Sequence, residues 1–304
     1  MSASPTLVAR APGKTNLCLY LGARRADGLH ELVSLIESLS LADELELALA
    51  PAGAKADQVL CPGIEGPNLA AAALEAWRRA AAPDAPPLRL RIDKRVPVAA
   101  GMGGGSGDAA AALRLAAQLA GRPGDKLLWE LAPALGADVA SQLEPGLVLV
   151  TGAGERVRPL APLAPHALLV LPAERGLSTA EVYREADRLG LPRRPAELER
   201  ARERLEAELV GADELPLERL CNDLEPAALS LRPEIAAALA DARAVGAVHA
   251  LVSGSGPTVV GVFDGEDALD AARAAVGELR PRYQGACAAV PVDAAFAAPV
   301  EIVR

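Results

Sequence analysis

Pro97-Val-Ala-Ala-Gly101-Met102-Gly103-Gly104-Gly105-Ser106-Gly107-Asp108 follows the alternating stretch Leu88–Asp93 and runs directly into Ala109-Ala-Ala-Ala-Leu113. This order predicts a strand, a glycine-rich turn and an Ala-rich helix that begins near Ser106 and runs through Ala120. Glycines permit left-handed backbone and close ligand approach, so consecutive N–H groups can face one anion. A helix start adds unpaired N–H donors and the positive end of a dipole. The stretch therefore reads as a phosphate cradle. It lacks the Gly-Lys-Ser/Thr close of a P-loop and the spacing of a dinucleotide fingerprint.

Toward the N-terminus, apolar alternation predicts strands over Thr6–Ala11, Asn16–Leu21, Leu32–Leu41 and Glu44–Ala50, separated by Gly, Asp and Pro turns. Asn68 is a predicted helix N-cap before Leu69–Ala82. Beyond the cradle come a helix over Lys126–Leu135 and strands at Leu147–Val150 and His166–Leu171, with a Gly/Pro-rich connection near residue 160 between them. The second half predicts helices at Thr179–Arg188, Pro195–Leu209, near Cys221 and over Pro233–Val245. Strands at Ala250–Val252 and Thr258–Phe263, a helix from Glu266 and a last strand complete it. Strands alternating with amphipathic helices in both halves give a two-domain α+β architecture, residues 1–160 and 161–304.

Hydrophobic residues are 51% of the 304 but aromatics only 2%, so Ala, Leu and Val must fill the core. A net charge of -9 argues against a nucleic-acid partner, since phosphate backbones are held by clustered Lys and Arg. Cys18, Cys61, Cys221 and Cys287 contain no C-x-x-C pair and fit neither a zinc site nor a disulfide framework. Reduced thiols in a cytoplasmic protein are expected. No signal-peptide pattern opens the chain and no apolar run of about 18 residues could span a bilayer, so no membrane partner is expected.

Several other segments are ambiguous alone. Val252-Ser253-Gly254-Ser255-Gly256-Pro257 suits a tight hairpin turn as well as a ligand loop. Lys14, between two apolar strands, reads by itself as a solvated turn lysine, and Arg25-Ala26-Asp27-Gly28-Leu29-His30 as a turn. Asp138, in Leu135-Gly136-Ala137-Asp138-Val139, could cap or turn. His30, His166 and His249 show no metal-ligand spacing, and no protein metal site is expected.

In this order and spacing, the segments resemble the GHMP kinase superfamily: an N-terminal Lys, a P-x-x-x-G-[LM]-G-G-G-S loop, a G-A-D and a late S-G-S-G. APGKTNLCL, RADGLHEL, KRVPVAAGMGGGS, LGADV, Asn222-Asp223-Leu224-Glu225 and SGSGPT are most similar to the branch whose acceptor is a cytidine-diphosphate-linked methylerythritol. The resemblance implies a ribosomal-protein-S5-like N-terminal domain, a ferredoxin-like C-terminal domain and an active site between them. It implies ATP and magnesium as cofactors, a small-molecule substrate, and a monomer or homodimer.

Residue by residue, the resemblance puts the ATP phosphates on Pro97, Gly101, Gly103, Gly104, Gly105 and Ser106, with Asn68 and Lys94 near the nucleotide base. Asp138 becomes the general base and Lys14 the cation that neutralises developing charge. Asn16, Asp27 and His30 fall near the erythritol and cytidine, Tyr183 stacks on cytosine, and Gly254, Ser255 and Gly256 lie near the substrate phosphates. Three positions depart from the pattern. Leu29 replaces an aromatic, Ala140-Ser141-Gln142 replaces Pro-Phe-Phe, and Gly107 replaces a second Ser. A homoserine or sugar kinase of the same superfamily, or a ligand sensor on its fold, are the competing readings.

Overall fold

β1 (Thr6–Arg24) and β2 (His30–Leu49) form one long antiparallel hairpin in the computed structural model, which describes residues 5–209 and 215–302. The sequence predicts four strands here, but the ladder has only two. Register shifts at Pro12/Gly13, Asn16/Cys18 and Leu21/Arg24 absorb residues that would otherwise end a strand. Burial alternates from Leu7 to Arg10, and then every residue from Ala11 to Gly22 is buried. One face of this stretch joins the helices that cover the sheet, through Ala11; the other packs Leu17 and Cys18 with Leu168 and Val170 of the second half.

The chain continues through β3 (Gln58–Leu60), α1 (Leu69–Ala81), β4 (Leu88–Asp93), α2 (Gly104–Leu119), α3 (Leu127–Leu135), β5 (Leu147–Gly152) and β6 (Arg156–Pro159). The second half runs β7 (His166–Leu171), α4 (Thr179–Leu189), α5 (Pro195–Leu209), β8 (Cys221–Asn222), α6 (Glu225–Leu231) and α7 (Ile235–Ala244). It closes with β9 (His249–Val252), β10 (Val259–Asp264), α8 (Ala268–Leu279), β11 (Cys287–Ala289) and β12 (Val300–Ile302). The helix predicted near Cys221 is thus the short strand β8, followed by α6.

The larger sheet has the order β12-β1-β2-β4-β3, with β5 beside β2, β6 beside β5 and β8 on β1. The smaller sheet is antiparallel, β11-β7-β10-β9. Strands β8 and β12 from late in the chain therefore join the first sheet.

α2 crosses β1 so closely that a Cβ on Gly107 would lie 2.9 Å from the Pro12 carbonyl oxygen. Its buried Ala109–Ala112, Ala116 and Ala117 keep α1 and the sheet at similarly short range, as so aromatic-poor a chain requires. Fully buried Leu45, Leu47, Leu90 and Ile92 beneath contribute about 2 kcal/mol each. Among the described residues no helix is long and apolar enough to cross a membrane.

Candidate active site

Lys14 and Asn16 are two residues apart on β1, so both side chains leave one face. That face opens on a cleft of about 1020 Å³ between the two halves. Lys14 is only 4% exposed; its Nζ donates to Asn16 Oδ1 at 2.7 Å, and Asn16 Nδ2 donates to Ser34 Oγ at 2.7 Å. Ser34 Oγ donates in turn to the Cys18 carbonyl at 2.6 Å, so the Lys14 ammonium is aimed by a relay of hydrogen bonds. On its other side stands Asp138, with Oδ2 at 3.4 Å from Lys14 Nζ. Asp138 keeps 38% of its side chain exposed, so the pair reaches the cleft through the carboxylate.

The glycine loop packs over this pair. The Lys14 N–H donates to the Met102 carbonyl at 2.8 Å. Gly101 has φ +78° and a Cβ there would lie 2.1 Å from the Ser253 carbonyl oxygen, while Gly103 has φ +65° and a Cβ would lie 2.8 Å from Lys14 Cγ. No residue with a side chain fits either place without displacing backbone or the lysine. Gly103 turns the chain into α2 at Gly104, two residues earlier than predicted. The first N–H groups of that helix, at Gly104, Gly105 and Ser106, have no intrahelical acceptor, and these residues line the cleft together with Pro97.

Lys94 and Asn68 also line the cleft, each with a structural duty. Asn68 caps α1, its Oδ1 accepting from the Ala70 N–H at 2.8 Å. Lys94 donates to Asp43 and, at 2.9 Å, to Asp108 Oδ2, so its ammonium braces the base of the loop. Asp43 Oδ1 receives two further donors, the N–H groups of Arg95 and Val96, whereas buried Asp108 Oδ1 has no partner among the described residues. Two carboxylates share one ammonium, and the less satisfied one holds a proton more tightly. Burial pushes Asp108 up to about 7, against the Lys94 charge and with the help of Asp43.

The second half supplies the opposite wall. Tyr183 and Asp187 are one turn apart on α4 and share a face. Asp187 Oδ1 lies 2.8 Å from His30 Nε2, and the Tyr183 ring lies 5.1 Å from the His30 ring, tilted by 44°. An aromatic wall thus joins β2 to α4. Burial and the nearby Asp138 charge push the Tyr183 phenol up to about 12, which keeps it neutral. Leu29 lines the cleft too, 54% exposed.

Gly254 and Ser255 line the cleft, and Ser255 Oγ lies 2.9 Å from Thr179 Oγ1 at the start of α4. Two expected positions are not among the lining residues. Asp27 accepts from the Leu29 N–H at 3.0 Å and pairs with Arg25 at 2.8 Å, so it shapes the turn before His30. Gly256 closes the late turn, its N–H donating to the Ser253 carbonyl at 2.8 Å.

Sequence reasoning missed Arg24, Arg184 and Asp187, which all line the cleft. Only Asp187 carried a local signal, its four-residue spacing from Tyr183. Arg114 was also missed. It lies on α2 and donates to the carbonyls of Gln142, at 2.5 Å, and Arg10, at 3.2 Å, which ties the segment after Asp138 to β1. Burial pushes this guanidinium down to about 10. In the Ala140-Ser141-Gln142 turn, Ser141 Oγ donates to the Asp138 carbonyl at 2.9 Å, so the departure from Pro-Phe-Phe leaves Asp138 supported. Among the described residues no group of three or more His, Cys, Asp or Glu could hold a metal ion.

A glycine cradle over a lysine–carboxylate pair, set between two α+β halves, is the layout of a GHMP kinase, and the family models agree. The GHMP kinases N terminal domain matches residues 68–147 and the GHMP kinases C terminal domain residues 205–281. A 4-diphosphocytidyl-2-C-methyl-D-erythritol kinase of Thermobifida fusca (strain YX) is 40% identical over 302 residues, 95% of each chain. The enzyme of the same name from Streptomyces coelicolor is 41% identical over 267 residues, 83% of this chain and 86% of that one. A crystal structure of 4-(cytidine 5'-diphospho)-2C-methyl-D-erythritol kinase superposes with TM-score 0.73 at 35% identity, covering 93% of this chain and 98% of the other. A homoserine kinase from Cytophaga hutchinsonii superposes at 0.70 with 17% identity over 99% of this chain and 98% of the other, a likeness of fold alone. The chain belongs to the 4-diphosphocytidyl-2-C-methyl-D-erythritol kinase family of GHMP kinases.

Proposed function

We propose that the chain transfers the γ-phosphoryl group of ATP to the 2-hydroxyl of 4-diphosphocytidyl-2-C-methyl-D-erythritol, a step of non-mevalonate isoprenoid precursor biosynthesis. The observation that carries this reading is the 3.4 Å contact between Lys14 Nζ and Asp138 Oδ2 in the cleft that the glycine loop lines. Asp138 accepts the proton of the acceptor hydroxyl as its oxygen attacks the γ-phosphorus. The bond from that phosphorus to the bridging oxygen breaks, and ADP leaves with the electron pair. Lys14, held by Asn16, stands where charge builds on the transferring group, and the N–H groups of Gly104, Gly105 and Ser106 face the phosphates. Alignment and charge neutralisation suffice for such a transfer, so no phospho-enzyme is needed.

The donors present suit magnesium that arrives with ATP: the Ser106 hydroxyl belongs to a residue lining the cleft, and one or two protein oxygens are all such an ion takes. Magnesium there would neutralise phosphate charge. In this reading His30 and Tyr183 receive the cytosine ring, and Arg24 and Arg184, which line the same cleft, are cations available to an acceptor diphosphate. Residues 1–160 then hold chiefly ATP and residues 161–304 close on the acceptor, in a cytoplasmic monomer or homodimer with no nucleic-acid partner. The test is steady-state ADP release by Asp138→Asn and Lys14→Ala. Asp138→Asn should lower kcat by about 10²–10⁴-fold with the KM for ATP little changed. Retention of kcat within threefold would remove Asp138 from the role of base.

A further inference from the structure

The Asn222-Asp223-Leu224-Glu225 segment has no part in the chemistry above, yet nearly every polar atom in it is committed. Asp223 accepts from the Leu21 N–H at 2.9 Å and takes Arg193 with both oxygens, at 2.5 and 2.8 Å. Glu225 accepts from the Val252 N–H at 3.0 Å. Asn222, 7% exposed, donates through Nδ2 to the carbonyls of Val252 at 2.8 Å and Gly254 at 2.7 Å, while its Oδ1 accepts from the Leu224 N–H at 2.9 Å. Both of its donors and its acceptor are used, which leaves the amide one orientation.

The bond to Gly254 has a consequence for the cleft. The Gly254–Ser255 peptide is trans, so its carbonyl and the Ser255 N–H point in opposite directions. Among the described residues the Ser255 N–H makes no hydrogen bond, and Gly254 and Ser255 both line the cleft. Gly254 is also next to the catalytic cation: a Cβ there would lie 3.3 Å from Lys14 Nζ and 2.9 Å from the Gly101 carbonyl oxygen. We propose that Asn222 is a positioning residue: by gripping the Gly254 carbonyl from behind, it holds the Ser255 N–H turned into the cleft as a donor to a phosphate oxygen. A flip of that one peptide would replace the donor with a carbonyl beside an anion, so the grip decides the sign of the local dipole. The inference rests on the kinase reading for the identity of the anion, which is either the acceptor diphosphate or the phosphates of ATP.

The full chain carrying Asn222→Asp or Asn222→Ala is titrated with CDP and, separately, with ADP by calorimetry, and circular dichroism checks that each variant is folded. Asn222→Asp keeps the shape but sets a carboxylate against two carbonyls. At pH 8 its affinity for one of the two nucleotides falls at least tenfold. Part of the loss returns at pH 6, where a protonated carboxyl can again donate, whereas Asn222→Ala recovers nothing. A loss confined to CDP assigns the Ser255 N–H to the acceptor diphosphate, and a loss confined to ADP assigns it to the donor nucleotide. Unchanged affinity for both in a folded Asn222→Asp overturns the proposal. Should neither variant fold, the ¹H–¹⁵N spectrum of the wild-type chain decides: the Ser255 amide moves on addition of CDP or ADP, and an unmoved amide overturns the proposal. Wild-type turnover is measured alongside; its absence on the cytidine acceptor counts against the kinase reading and leaves the nucleotide titrations able to test Asn222.

Discussion

Asp108 is the residue whose chemistry the local sequence conceals most fully. It shares the Lys94 ammonium with Asp43, has a buried oxygen without a partner among the described residues, and is pushed by burial up to about 7. Below that pH the three groups sum to zero charge, and above it they carry one negative charge at the foot of the phosphate loop. The KM for ATP is therefore expected to rise severalfold between pH 6 and pH 8. Asp108→Asn should hold the low value throughout, and a variant that keeps the wild-type pH curve would contradict this. Because the folded value is raised, the linked stability is present below the ordinary carboxylate range and is lost as pH rises through about 7. Lys14 shows why such residues are hard to read. Flanked by Gly13 and Thr15 it resembles a solvated turn lysine, and it is 4% exposed only because the glycine loop and the late turn fold over it. Asp27, a motif position expected at the substrate, also has a local duty that its residue type alone announces, the turn beside it.

Among the elements, the β1–β2 hairpin carries the most. Glu37 on β2 and His166 on β7, both buried, join the two sheets. His166 Nε2 lies 2.8 Å from Glu37 Oε2 and Nδ1 lies 2.8 Å from the Ala164 carbonyl oxygen, so both ring nitrogens face acceptors, which favours the charged ring. Burial opposes that charge, but Glu37 and the Ala164 carbonyl outweigh it and hold His166 above its usual value, with Asp264 adding to the field. A raised histidine contributes stability that is full below about pH 6.5 and is lost as pH rises through the folded value. Urea unfolding should show this decline in the wild type. His166→Gln should lose about 3 kcal/mol at pH 6 and flatten the slope; an unchanged slope would remove the pair from that role. Most helices and long strands were legible because their apolar periods are regular. The continuity of β1 was not, since Pro12 and Gly13 read as a break where a register shift accommodates them. Strands β3 and β6, of three and four residues, are too short to show a period.

At the scale of the whole molecule, the cleft exists because segments far apart in sequence converge on β1: the glycine loop before α2, Asp138 after α3, α4 with Tyr183 and Asp187, and the late Ser253–Gly256 turn. The parts were readable from their residue types and order, and their meeting was not, because it depends on packing between halves. Two departures from the family pattern acquire a physical setting here. At Gly107 the crossing of α2 over β1 leaves a Cβ 2.9 Å from Pro12 O, which accounts for glycine where a serine was expected. At Leu29 the missing aromatic leaves His30 and Tyr183 as the ring pair on that wall of the cleft, with an exposed aliphatic side chain on the same cleft. Acceptor choice is consequently the property of this cleft that turnover decides. ADP release should be followed with ATP and magnesium, with 4-diphosphocytidyl-2-C-methyl-D-erythritol or homoserine as acceptor. Turnover on the cytidine substrate with homoserine at background is the predicted result. Turnover on homoserine alone, or on neither acceptor, would contradict phosphoryl transfer to the cytidine acceptor.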